Sequence, residues 1–358
     1  MLVFFINLII RLSAFPDYVN GLAYVIAAFI EGYGRDRVLR VGNFPSPKPG
    51  PSDILVRVHA ASVDPVDCKL RDGKLRLLRP YRFPLILGHD CAGEVVQIGE
   101  KVTRCKVGDQ IFSRPRNGRI GTFAEFIAIA QSEAALMPPN LNYHEAASLP
   151  LVGLTSWQAQ VDIANLNPGQ KILIHAGSGG IGTFAIQLAK HIGAEVWTTT
   201  SGKNLEFVKS LGADHAINYQ NEDFEKRVNN LDIVFDTLGG DSLDKSFSVT
   251  RPNGWLVSIS GSPDYRTAKE MRLDIVRSLL LGIVGLGVNS RARRAGVNYR
   301  FIFMKPLGEE LAQIAVLVAK GVIRPVVDRI VPISECQSAI EYSASGRVRG
   351  KIVISVID

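Results

Sequence analysis

The sequence predicts a two-domain α/β protein, with a β-rich, barrel-like domain joined to a doubly wound parallel sheet. Three observations carry that prediction. Short β-branched runs broken by Pro and Gly fill the chain to about residue 153. From residue 155 onward, strand-like runs alternate with helix-like ones, the pattern of a parallel sheet covered on both faces. Between a buried strand and a helix stands the glycine-rich turn of Lys171-Ile-Leu-Ile-His-Ala-Gly-Ser-Gly-Gly-Ile-Gly182.

In chain order, residues 1–12 are strongly apolar but shorter than the ~20 residues that a membrane helix requires. They lack the basic n-region of a signal peptide and a clear cleavage site. A leader, an interfacial helix associated with a membrane and a mis-called start codon all stay open, and residues 1–27 read as an extension outside the fold. Strands follow at 54–60, 93–98, 110–112 and 123–128. The alternating part reads as strand 171–176, helix 181–191, strand 196–200, helix 205–211, then strands at 233–236 and 255–260. The tail, with strand-like 324–331, a helix over 335–343 and a strand over 350–356, resumes the β-rich style. It is expected to return to the first domain, which would then comprise residues 28–152 and 325–358 around a nucleotide domain of 153–324.

Gly177, Gly179 and Gly182 match GxGxxG. The first permits the tight turn, the second lets backbone approach a pyrophosphate, and the third lets helix pack on strand. The helix from Ile181, apolar at Phe184, Ala185, Leu188 and Ala189, then offers free N–H groups and a positive dipole end to the anion. An NAD enzyme places Asp or Glu at the end of the second strand, about 20 residues on, to hold the adenosine ribose. Here Glu195 opens that strand, and Thr200, Ser201 and Lys203 close it. Hydroxyls with an ammonium suit a 2′-phosphate, which favours NADPH over NADH. The plainer alternative is that Lys203 is a solvated loop lysine.

At 358 residues the chain is long enough for two domains with cores of their own. The formal charge of +7 is modest, and the basic residues are scattered outside 71–82 and Arg291-Ala-Arg-Arg294. An anionic cofactor accounts for some of the excess, and no nucleic acid partner is expected. Cys68, Cys91, Cys105 and Cys336 are well separated, which argues against a zinc ribbon or disulfide scaffold and for a reducing, cytoplasmic compartment. The apolar stretch 275–288, followed by Arg291 to Arg294, has the composition of a membrane-surface segment but is too short to span.

With these elements placed, the chain resembles the medium-chain dehydrogenase/reductase superfamily, in its zinc-independent, quinone oxidoreductase-like, NADPH-dependent branch. The resemblance runs from about residue 28 to 356. It is carried by Ala60-Ala-Ser-Val-Asp-Pro-Val-Asp67, Leu87-Gly-His-Asp-Cys-Ala-Gly-Glu94, Val107-Gly-Asp109, Gly121-Thr-Phe-Ala-Glu125, Leu149-Pro-Leu-Val-Gly-Leu-Thr155, the glycine turn, Phe235-Asp-Thr-Leu-Gly-Gly240 and Gly346-Arg-Val-Arg-Gly-Lys351. It implies a Rossmann nucleotide domain and a discontinuous, GroES-like catalytic domain. It also implies a homodimer formed by joining the nucleotide-domain sheets edge to edge, with the 275–288 region over the substrate cleft or the subunit contact.

Residue by residue, the resemblance places Thr155 near the nicotinamide and Ser178, Gly180 and Ile181 around the pyrophosphate. It places Ser201, Lys203 and Tyr219 at the 2′-phosphate, and Leu238, Ser260 and Phe303 along ribose and nicotinamide. A surface tyrosine and ordinary packing are the plainer alternatives for Tyr219, Leu238 and Phe303. Where the superfamily's zinc enzymes carry their first and last cysteine ligands, this chain has Asp64 and Leu151. Leu151 cannot ligate, the four-cysteine structural lobe is absent, and His89 reads as a buried histidine near the cleft, so no metal is expected.

The implied reaction is hydride delivery to a quinone or an α,β-unsaturated carbonyl, an alkenal or enone, as the small-molecule electron acceptor. Asp64, where the family commonly has Asn, would be protonated, pair with Lys69 or repel anionic acceptors. Asp67 and Lys69 are candidates for shaping the nicotinamide pocket, and Tyr81 for donating a proton from a loop over the cleft. Two alternatives stand beside this reading. One is a low-turnover NADPH-binding redox sensor. The other is an enoyl-thioester reductase, for which Arg71, Lys74, Arg76, Arg79 and Arg82 would hold a phosphorylated substrate.

Overall fold

The computed structural model of the chain describes residues 24–35, 38–76 and 78–357. The first domain is built on the long strand Asp53–Val63, nearly every residue of which is buried. One edge of this strand pairs antiparallel with Asp90–Ile98. The other edge is shared end to end, by Phe126–Ala130 along its first half and by Lys351–Ser355 along its second. Lys351–Ser355 in turn pairs with Val327–Pro332, so the C-terminal segment completes a seven-stranded sheet begun at residue 53.

Two expectations shift. The run 123–128 is not one strand: Ala124 bridges to Ala27, and only Phe126–Ala130 joins the large sheet. The extension also ends earlier than residue 27, because Tyr24–Ile30 is a strand that pairs with Arg40–Pro45 and Leu85–Ile86. Val25 and Ala27 are buried by that pairing, which draws residues 24–27 into the fold. The apolar start at 1–12 lies outside the described residues. Two helices of this domain bear on the site, α1 (Pro65–Arg71) and α2 (Pro150–Trp157).

The second sheet holds β1 (Lys171–Ile174), β2 (Glu195–Thr200), β3 (His215–Asn218), β4 (Leu231–Asp236), β5 (Thr250–Ser258) and β6 (Asn298–Phe301). Every pairing is parallel, and the spatial order is 3-2-1-4-5-6. Successive residues feed opposite faces, as strand geometry requires. Ile172, Ile174, Ile233 and Phe235 pack beneath α3 (Gly180–Ile192), while Leu173, Val234 and Leu256 pack against α5 (Gly240–Val249). Between them in the chain, α4 (Leu205–Ser210) is a short helix after β2. Beyond β5 come α6 (Tyr265–Glu270) and the 21-residue α7 (Ile275–Ala295), so the apolar stretch is part of a helix longer than its sequence suggested. A third cluster crosses between the domains, joining Ala92, Phe112 and Val353 to Phe184 and Leu188 of α3.

Candidate active site at the glycine turn and domain junction

The turn after β1 reverses the chain through Ala176 at φ 53° before α3 starts at Gly180. A methyl group on Gly177 would lie 2.1 Å from Thr198 Oγ1, and one on Gly182 would lie 2.4 Å from the Ala176 carbonyl oxygen. Those two glycines are required by packing. Gly179, the N-cap of α3, would meet only the Ala176 carbonyl, at 3.4 Å, so that side of the helix start stays open, while Gly180 is packed against Gly350 and Lys351. The first turn of α3 carries no acidic residue. An open helix N-terminus free of carboxylates fits a pyrophosphate.

Ser178 joins this turn to the end of β2. Its hydroxyl accepts hydrogen bonds from Thr200 Oγ1 and Asn204 Nδ2, both at 3.1 Å, and Asn204 Nδ2 also reaches Ser201 Oγ at 3.2 Å. The backbone N–H of Tyr219 donates to the Thr200 carbonyl at 3.1 Å. Ser178, Ser201, Lys203 and Tyr219 therefore gather at the carboxyl ends of β2 and β3, with Lys203 and Tyr219 exposed. Asn204, which organises both serines, was not foreseen, because an asparagine after a loop lysine carries no sequence signal. Arg349 was missed as well. Its loop touches the turn through Gly350 N–H to the Ser178 carbonyl, 2.9 Å, and its guanidinium stands 4.8 Å from the Phe207 ring centre.

On the other side of the turn, Asp236 ends β4 fully buried and accepts from Gly239 N at 2.9 Å and Ser258 Oγ at 2.6 Å. This fixes the loop bearing Leu238, half exposed, and Ser260, whose hydroxyl donates to the Thr237 carbonyl at 3.0 Å. Thr155 is buried on α2, its hydroxyl donating to the Leu151 carbonyl at 2.6 Å. Phe303 reaches a small cavity at the domain junction that Val66, Leu70, Tyr81, His89 and Met271 also line.

The junction itself is charged and buried. Lys351 is buried with its ammonium bonded to Asp64 Oδ1 and 3.4 Å from Asp90 Oδ2. Burial would lower the Lys351 pKa, but Asp64 and Asp90 more than offset this and raise it. Asp90 is raised well above the usual carboxylate range, first by burial and then by the charge of Asp64. It also accepts from Ser62 Oγ at 3.0 Å and from the backbone N–H of Leu151 at 2.9 Å. The expected partner of Asp64, Lys69, is thus replaced by Lys351.

Lys69 is exposed on α1 and does not line the cavity, a correction to its expected role in shaping the pocket. Helical periodicity explains this, since Asp67, Cys68 and Leu70 are the residues of that turn facing the interior. Asp67 accepts from Asp64 N at 2.8 Å and Gly88 N at 3.2 Å, and holds Nδ1 of the buried His89 at 2.6 Å. Tyr81 borders the cavity, yet its hydroxyl donates to the Asn117 carbonyl at 2.6 Å, so its proton is already engaged. Burial raises its pKa. Arg71 is also not at the cleft mouth; it is buried and bonded to Asp72 at 2.9 and 3.0 Å.

The alcohol dehydrogenase GroES-like domain family matches residues 50–139, and the zinc-binding dehydrogenase family matches 211–354. A zebrafish (Danio rerio) protein, mitochondrial NAD(P)H oxidoreductase RTN4IP1, is 32% identical over 351 residues, covering 92% of this chain and 90% of its own. An Arabidopsis thaliana chloroplastic NADPH-dependent alkenal/one oxidoreductase is 30% identical over 333 residues, covering 90% of this chain and 77% of its own. The solved quinone oxidoreductase of Coxiella burnetii superposes with a TM-score of 0.79 at 31% identity, covering 93% of this chain and all of that one. With its glycine turn, its two sheets and these relatives, the chain belongs to the medium-chain dehydrogenase/reductase superfamily as a quinone oxidoreductase-like, NAD(P)H-dependent oxidoreductase.

Proposed function

We propose that the chain delivers hydride from NADPH, without a metal, to a quinone or an α,β-unsaturated carbonyl. The observation that carries this reading is the Asp64–Lys351–Asp90 cluster. In that region a zinc enzyme would need three free ligands, whereas both carboxylates here hold an ammonium, His89 Nδ1 holds Asp67, and Leu151 offers only a backbone N–H. Among the described residues no three His, Cys, Asp or Glu side chains group as a metal site. That donor set does not fit zinc. It leaves a junction cavity walled largely by hydrocarbon, suited to acceptors whose reduction needs no Lewis acid.

Bound NADPH supplies the hydride. The chain's residues do the rest. The open start of α3 and Ser178 take the pyrophosphate, while Ser201, Lys203 and Tyr219 take the 2′-phosphate, with no carboxylate at the end of β2 to repel it. Phe303, Val66 and Leu70 exclude water from the acceptor. Asp67, by accepting from Nδ1, leaves Nε2 as the free nitrogen of the His89 ring, where a proton first taken up from solvent would be passed to the reduced acceptor. Strand β6 ends the parallel sheet and offers the edge through which two copies would join.

The test is NADPH oxidation against a panel of quinones and enones, with Lys203→Ala beside the wild type. The variant should raise KM for NADPH by about tenfold or more and leave KM for NADH nearly unchanged. Equal effects on the two cofactors would place 2′-phosphate recognition elsewhere. Tight NADPH binding with no turnover on any acceptor would overturn the reductase reading in favour of a sensor.

A further inference from the structure

Hydride transfer makes no use of α7, although among the described residues this helix carries a run of exposed large apolar side chains. Ile275, Val276, Leu279, Leu280, Ile283 and Leu286 are between 56% and 76% exposed. Its opposite side, Ser278, Leu281, Gly285, Val288 and Ala292, recurs every three or four residues and is buried against the fold. The helix therefore lies along the body with about half its circumference bare, rather than projecting from it.

We propose that this face docks on an anionic lipid bilayer, in the plane of the headgroups. Charge complementarity selects that occupant. Residues 265–295 contain seven basic and two acidic side chains, a formal +5 of the whole chain's +7. Arg266, Lys269 and Arg272 are exposed before the apolar stretch, and Arg293 and Arg294 are exposed after it. An apolar stripe bracketed by cations inserts among acyl chains while the cations meet lipid phosphates. A second copy pressed to the same face would instead bring like charge against like charge.

The position of the helix adds a purpose. Met271, four residues before Ile275, lines the junction cavity beside Phe303 and His89. The docked face thus begins four residues along the chain from the cavity wall, and an acceptor dissolved in the bilayer would have a short path from lipid to cavity. That route rests on the acceptor reading above; the docking does not.

The experiment is co-sedimentation of the full chain with vesicles of phosphatidylcholine alone and of phosphatidylcholine with phosphatidylglycerol. It compares wild type with Leu279→Glu/Ile283→Glu and with Arg293→Glu/Arg294→Glu. The wild type should pellet with the anionic vesicles. The first variant should lose binding by on the order of a hundredfold, and the second should lose the preference for anionic lipid. Oxidation of NADPH with a water-soluble quinone should be unchanged in both, which separates docking from turnover and shows that the variants fold. Wild type that does not pellet, or variants that pellet as well as wild type, would overturn the proposal. So would a wild-type dimer that Leu279→Glu/Ile283→Glu converts to monomer without any vesicle binding, since the face would then belong to a second copy.

Discussion

Lys351 shows how much of a site a single residue can decide. Its ammonium bonds Asp64 and stands 3.4 Å from Asp90, which lie 287 and 261 residues away in the chain, so one positive charge serves two acidic groups, of which Asp90 has its pKa raised by burial and by the Asp64 charge. Removing the cation would leave the Asp64 carboxylate buried beside Asp90 without the ammonium that holds it, which is costly because it cannot be solvated there. Lys351→Met, which keeps the length of the side chain, should therefore lower stability by roughly 3–5 kcal/mol. Part of this loss should return in Lys351→Met/Asp64→Asn, and denaturant midpoints measured by circular dichroism would check both. At this scale the sequence is a partial guide. Leu151 could be read as a non-ligand from its chemistry alone. The partner of Asp64 could not be read, since nothing local distinguishes Lys351 from Lys69 until the sheet brings residues 60–63 beside 352–355.

At the scale of elements, the strand, turn and helix at the glycine motif was legible because each glycine answers a local steric demand. Gly177→Ala tests this. With Thr198 Oγ1 only 2.1 Å from the added methyl, β2 must move away from the turn. The variant should lose about 1–3 kcal/mol of stability and most of its NADPH affinity, readable by thermal unfolding with and without the nucleotide. Helix α7 was not legible as a helix. It is apolar around most of its circumference, so it lacks the 3.6-residue period by which a surface helix announces itself. The start of the fold was set at residue 28, too late for the strand Tyr24–Ile30, because its partner, Arg40–Pro45, is short and largely exposed and so leaves little apolar signal to mark the pair.

At the scale of the whole molecule, stability should depend on pH through His175. It sits at the exit of β1 and ties the sheet together, with Nδ1 3.1 Å from Thr199 Oγ1 and Nε2 3.0 Å from Ser246 Oγ. Burial holds its pKa down to about 4, against an ordinary 6.5, although Asp236 pulls the other way. Between those values the unfolded chain binds a proton that the folded chain does not. The stabilisation is therefore present above pH 6.5 and is lost as pH falls toward 4, amounting to roughly 3 kcal/mol. Denaturant unfolding at pH 7 and at pH 4.5 should show this drop in the wild type and a smaller one in His175→Gln. An equal drop in both would assign the acid sensitivity to other groups.

The shared edge of Asp53–Val63 also has a history in time. As the chain emerges from the ribosome, the nucleotide sheet has all six of its strands once Phe301 is made, whereas the sheet begun at Asp53 lacks Lys351–Ser355 until about fifty residues later, the span from 301 to 355. The half of the protein synthesised first is thus the half finished last, and its open edge must wait, unpaired, through the making of everything between.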